Sequence, residues 1–131
     1  MSYSRQKKKR GAAVVELAIC LPVLVLVTIA TIEACQMYHV QQSLKITAYE
    51  GARIGTTPQA EVTNVRFQCE TLLDSQGVKG YTIDMTPDPT ALEEGDFFTV
   101  TVECDFNSNA LTGGWLFGNK NITRSVALRS D

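Results

Sequence analysis

The sequence predicts an α+β protein in which a long N-terminal transmembrane helix continues into a small exported domain with a second helix and a three- to four-stranded antiparallel sheet. Three observations carry this: an apolar run over residues 12–32, a helical period just after it, and a two-residue alternation over residues 96–106. At 131 residues the chain has room for one compact domain beside such an anchor, and too little for a large enzyme.

The basic run at the start comes first. Met1 to Arg10 contains Arg5, Lys7, Lys8, Lys9 and Arg10 and no acid, a local charge of +5. Of the 12 basic and 14 acidic residues, 7 basic and all 14 acidic ones fall in residues 11–131, so that segment carries −7 and is unlike a nucleic-acid binder. Terminal basic runs are commonly solvated tails or nucleic-acid patches. The residues that follow place this one beside a membrane.

From Ala12 to Ile32 only Glu16, Pro22, Thr28 and Thr31 are not plainly apolar. At helical rise the run spans about 31 Å, the hydrocarbon thickness of a bilayer. Five basic residues precede it, while only Lys45 and Arg53 follow closely, so the N-terminus is expected in the cytoplasm and everything after Cys35 outside. The expected divisions are a cytoplasmic leader over 1–11, a transmembrane helix over 12–35 and an exported domain over 36–131. Pro22 removes one backbone hydrogen bond, which membrane helices tolerate.

Glu16 is the anomaly in the span. An ionised, unpartnered carboxylate inside a bilayer costs about 2.5–3.5 kcal/mol on insertion scales. One explanation is local: Glu16 snorkels toward the headgroups or pairs with Lys9 or Arg10. The other starts from the string Lys7-Lys8-Lys9-Arg10-Gly11-Ala12-Ala13-Val14-Val15-Glu16-Leu17 ahead of a long apolar helix. This string resembles the leader of type IV pilin-like proteins, in which a membrane-embedded prepilin peptidase cuts after the glycine and the glutamate becomes the fifth mature residue. The resemblance implies cleavage between Gly11 and Ala12, which puts Glu16 at the fifth place. A new α-amino group at Ala12, with pKa about 8, is a natural partner for a carboxylate in lipid. In pilin-like families that amine belongs to a neighbouring subunit, so Glu16 is expected as an assembly contact and not a catalyst.

An ordinary secretory signal fits less well, because the apolar stretch is too long and Ile32-Glu33-Ala34 before Cys35 puts a bulky Ile at −3. Glu33 is equally awkward in a lipoprotein signal.

Beyond the span, Met37, Val40, Leu44 and Ala48 continue a helical stripe toward Gly51 or Gly55. The stretch Thr47-Ala48-Tyr49-Glu50-Gly51-Ala52-Arg53 is similar to the Arg/Glu-Gly-Ala-Arg segment after the anchor of TadE-like proteins, pseudopilins of the tight-adherence, or Flp, pilus. With the leader, the resemblance covers Lys7 to Ile54. Leu17 stands where the major Flp pilin has Tyr, which favours a minor, TadE-like component. The implied partners are membrane lipid, prepilin peptidase, other pilin-like subunits and the assembly platform, with no cofactor and an inner-membrane location. An unprocessed bitopic protein with a partner-binding or sensing domain is the alternative. By local chemistry alone, Glu50 and Arg53 form an exposed i, i+3 ion pair.

Thr56-Thr57-Pro58 is expected to start a second helix with Val62, Val65, Cys69 and Leu72 as its stripe and Gly77 as its end. Strands are expected over Tyr81–Thr86, Asp96–Phe106 and Ile122–Leu128. In the middle one Phe98, Val100, Val102, Cys104 and Phe106 share a face. Cys69 and Cys104 lie on buried faces in an oxidising exterior, so they are expected either as a disulfide or as two buried thiols. No Cys/His cluster suggests a metal. His39, the one histidine, has no nucleophile partner by spacing and reads as a surface or packing residue. Asp84, Asp88, Glu93, Glu94 and Asp96 are acidic enough for Ca²⁺ but lack an EF-hand's Gly-centred loop, and read as a solvated turn. Trp115 and Phe117, in Gly113-Gly114-Trp115-Leu116-Phe117-Gly118, form a subunit contact or fold back onto the core.

Overall fold

A computed structural model describes residues 3–131, with side chains from Lys9 onward. The side chains of Arg5, Lys7 and Lys8 lie outside that range. Helix α1 covers Tyr3–Gly55 and α2 Val62–Ser75, followed by strands β1 (Tyr81–Thr86), β2 (Phe97–Asp105) and β3 (Asn121–Arg129). The chain divides into two units, residues 1–32 and 33–131.

In the first unit the apolar side chains from Val14 to Val27 are exposed, and the helix is long and apolar enough to cross a membrane. Its two threonines need no outside partner: Thr28 Oγ1 donates to the Leu24 carbonyl and Thr31 Oγ1 to that of Val27, both at 2.8 Å. Pro22 sits within the helix and leaves the Ala18 carbonyl without its usual donor.

The second unit is the expected α+β layer. Its sheet has three strands in the order β1-β2-β3, all antiparallel, with Ile83 opposite Val102 and Val100 opposite Val126. The inward residues of β2 (Phe98, Val100, Val102 and Cys104) are buried with Val40, Leu44, Ala48 and Ala52 of α1 and with Val65, Cys69 and Leu73 of α2. Each large member of that core contributes about 1.5–3 kcal/mol by leaving water. On the opposite face, Thr101 and Ser125 hydroxyls meet at 3.0 Å across the β2–β3 pair.

Small residues let α1 approach its neighbours. A Cβ at Gly51 would stand 2.6 Å from the Cys69 sulfur, and one at Gly55 would collide with the Phe98 ring. The Glu50-Gly51-Ala52-Arg53 segment therefore splits by face. Gly51 and Ala52 are buried in the packing, while Arg53 Nη2 bonds Glu50 Oε2 outside at 2.7 Å, as the i, i+3 spacing implies.

Two expectations for the second helix are corrected. Thr56 and Thr57 do not start α2; their hydroxyls donate to the carbonyls of Arg53 and Ile54 and close the last turn of α1. With those hydroxyls used, α2 begins six residues later, at Val62, behind an extended Glu61 that makes no side-chain cap. The stripe also turns by one position, since Val65, Cys69 and Leu73 are fully buried and Leu72 only half-buried. The end is as expected: Gly77 has φ +72°, Gly77 N–H donates to Asp74 O and Val78 N–H to Leu73 O, a Schellman closure.

Candidate functional site

Gly11 and Ala12 lie within α1, and nothing stands within 4 Å of a Cβ placed on Gly11. Packing does not require glycine there. Its presence costs the helix about 1 kcal/mol against alanine, so the backbone unwinds most easily at the bond a peptidase would need extended.

Glu16 is exposed on the same unit, and among the described residues it makes no hydrogen bond or ion pair; neither Lys9 nor Arg10 reaches it. The local pairing weighed from sequence is not formed.

A second carboxylate, which sequence reasoning noticed only as an obstacle to lipidation, is treated differently. Glu33 directly follows the apolar run and has 0% exposure. Its Oε1 accepts from Thr112 Oγ1 and its Oε2 from the Leu116 backbone N–H, each at 2.7 Å. Burying a carboxylate requires such donors. They come from the loop between β2 and β3, about 80 positions away, so Glu33 staples that loop to the first turn of the second unit. Buried Asn109 closes the other end of the same loop: its Nδ2 donates to the Lys79 and Asp105 carbonyls, its Oδ1 accepts from Lys79 N–H, and its own carbonyl accepts from Gln36 Nε2.

The loop's two aromatics part company. Phe117 turns inward, edge-on to Phe106 with centroids 6.5 Å apart, and Lys120 Nζ stands 5.2 Å above its ring. Trp115 is 66% exposed, beside exposed Leu111 and Leu116.

Cys69 and Cys104 are both buried, as expected, but they are free thiols rather than a bridge. The Cys69 sulfur and the Val100 side chain both face Gly51, and Cys104 lies four residues beyond Val100 along β2, roughly 13 Å by strand rise. Burial pushes each thiol up to about 11.

The remaining polar groups serve the fold. Asp88 accepts from the Thr90 hydroxyl and N–H, which holds its carboxyl below the usual range, and Asp96 Oδ2 accepts from Glu93 N–H. His39 Nε2 lies 3.3 Å from the Gln76 carbonyl at the end of α2.

The unusual features therefore cluster toward the two ends of the apolar run: Gly11 just before it and the solitary Glu16 within its first turns, and a stapled loop after it. No curated protein and no solved structure gives a significant match to the chain. Residues 11–53, about a third of the chain and a stretch that contains Gly11, Glu16, Glu33 and Arg53, match the model of the family described as TadE-like protein, and over that segment the chain is similar to it.

Proposed function

We propose that the chain is a non-enzymatic, TadE-like pseudopilin: a single-pass inner-membrane protein, N-terminus in the cytoplasm, that takes part in assembling a tight-adherence pilus or a related secretion apparatus. A prepilin peptidase cuts between Gly11 and Ala12 and removes all five leading basic residues. The new ammonium at Ala12 of a neighbouring pilin-like subunit then meets Glu16, and this pairing in lipid sets the register in which subunits join the platform or fibre.

The observation that supports this most is the family match, which begins at the leader glycine and contains Glu16 at the fifth place after it. The exposed, unpaired state of Glu16 agrees with a partner outside the chain. A carboxylate satisfied within one chain carries donors from that chain, as Glu33 does.

Intact mass of the protein extracted from membranes tests the processing step. A chain beginning at Ala12 is expected. A mature chain that keeps Lys7 to Arg10 would favour an unprocessed bitopic protein with a partner-binding or sensing outer domain.

A further inference from the structure

We infer that the loop from Leu111 to Leu116 seats its apolar tip in the headgroup zone of the lipid bilayer on the side where the chain leaves the span, with Trp115 as an interfacial anchor. The inference rests on the single-pass nature of the chain and not on the pilus assignment.

Level, surface character and charge each support it. Glu33 is the residue after Ile32, where the 12–32 apolar run ends, and both of its carboxylate oxygens hold the loop, through Thr112 Oγ1 and Leu116 N–H at 2.7 Å. Whatever depth Glu33 takes, the loop backbone takes it too, and chain connectivity puts Glu33 at the edge of the hydrocarbon. The headgroup layer there is only about 5–7 Å deep, so a loop bonded directly to that residue cannot stand clear of it.

The loop presents three large apolar side chains within six residues: Leu111, Trp115 and Leu116 are 69%, 66% and 44% exposed. Phe117, which could have joined them, packs inward on Phe106 instead, so the exposure of Trp115 is not a failure of the loop to fold. Tryptophan's large ring and single N–H suit a zone that is apolar at one end and wet at the other. Residues 110–120 contain no acid and one cation, Lys120, in an outer unit that is otherwise rich in carboxylates. An acid-free segment is the part of such a domain that an anionic headgroup layer repels least.

Trp115 is the one tryptophan in the chain, so its fluorescence reports this loop alone. The full chain, reconstituted at low density in phosphatidylethanolamine/phosphatidylglycerol vesicles, is compared with vesicles whose acyl chains are brominated either near the glycerol or near the chain end. The expected result is emission shifted to the blue of free tryptophan and quenched more by shallow than by deep bromines. Thr112→Val, which removes one of the two staples, is expected to reduce quenching while far-UV circular dichroism stays unchanged. A relocated reporter, Phe67→Trp in a Trp115→Phe background, is expected to emit as in water, because Phe67 is exposed on α2. Water-like, unquenched emission from Trp115 would overturn the inference. So would a blue shift that appears only at high chain density without bromine quenching, which would assign the loop to subunit contact.

Discussion

The two halves of α1 carry the same residue types to opposite ends. Glu16, in the apolar half, is exposed and unpaired among the described residues, whereas Glu33, at the start of the packed half, is wholly buried with a donor on each oxygen. Gly11 has open space around it; Gly55 is filled to contact by Phe98. A residue whose demands are met inside the chain belongs to the fold. One whose demands are left open is available to something outside the chain.

The largest effect should separate the carboxylates. Glu33→Ala strands the Thr112 hydroxyl and the Leu116 N–H, and is expected to destabilise the second unit by about 2–4 kcal/mol in chemical denaturation followed by circular dichroism. Glu16→Ala is expected to move the same midpoint by no more than about 0.5 kcal/mol. Equal effects would break the contrast.

The glycines give the next largest. Gly55→Ala forces a methyl against Phe98 and is expected to cost about 1–3 kcal/mol. Gly11→Ala should firm the helix locally by about 1 kcal/mol, leave the unfolding midpoint of residues 33–131 unchanged, and block conversion to the shorter chain, read as a retained leader in the intact mass.

The buried thiols sharpen the comparison through pH. Their folded values, pushed up to about 11 from 9.0, favour the protonated form in the native state. Their contribution is therefore fully present below pH 9 and lost as pH rises through 11, so the denaturation midpoint should fall over that window. A Cys69→Ala/Cys104→Ala chain should lose less over the same range. Cys35, exposed on α1, should react with a maleimide in the native protein while Cys69 and Cys104 wait for unfolding.

The smallest effect is expected at Glu50→Ala, a few tenths of a kcal/mol, because its ion pair with Arg53 is solvated.

The same contrast explains what could be read from sequence. The β2 core face was legible because alternation is a local signal, and Phe98 to Cys104 are buried at every second position. The span and the Glu16 anomaly were legible because composition alone defines them. The start of α2 was not, since Thr56 and Thr57 have two helices to serve and the structure gives them to α1. Glu33 was the main omission. Its carboxylate so close to the apolar run was a visible signal, but its donors lie at Thr112 and Leu116, and no local pattern announces a bond across that distance. The free thiols followed similarly from register: both were assigned to buried faces, but their separation along β2 depends on where α2 crosses the sheet.

The central claim is that Glu16 is satisfied by a group outside its own chain. The most direct measurement is fibre yield per membrane-inserted chain for Glu16→Ala against the unaltered protein, in cells carrying the assembly apparatus. The expected result is normal insertion and cleavage with a loss of assembly of about tenfold or more, the rate equivalent of about 1.4 kcal/mol at the docking step. Undiminished fibre yield from a fully processed Glu16→Ala chain would contradict it.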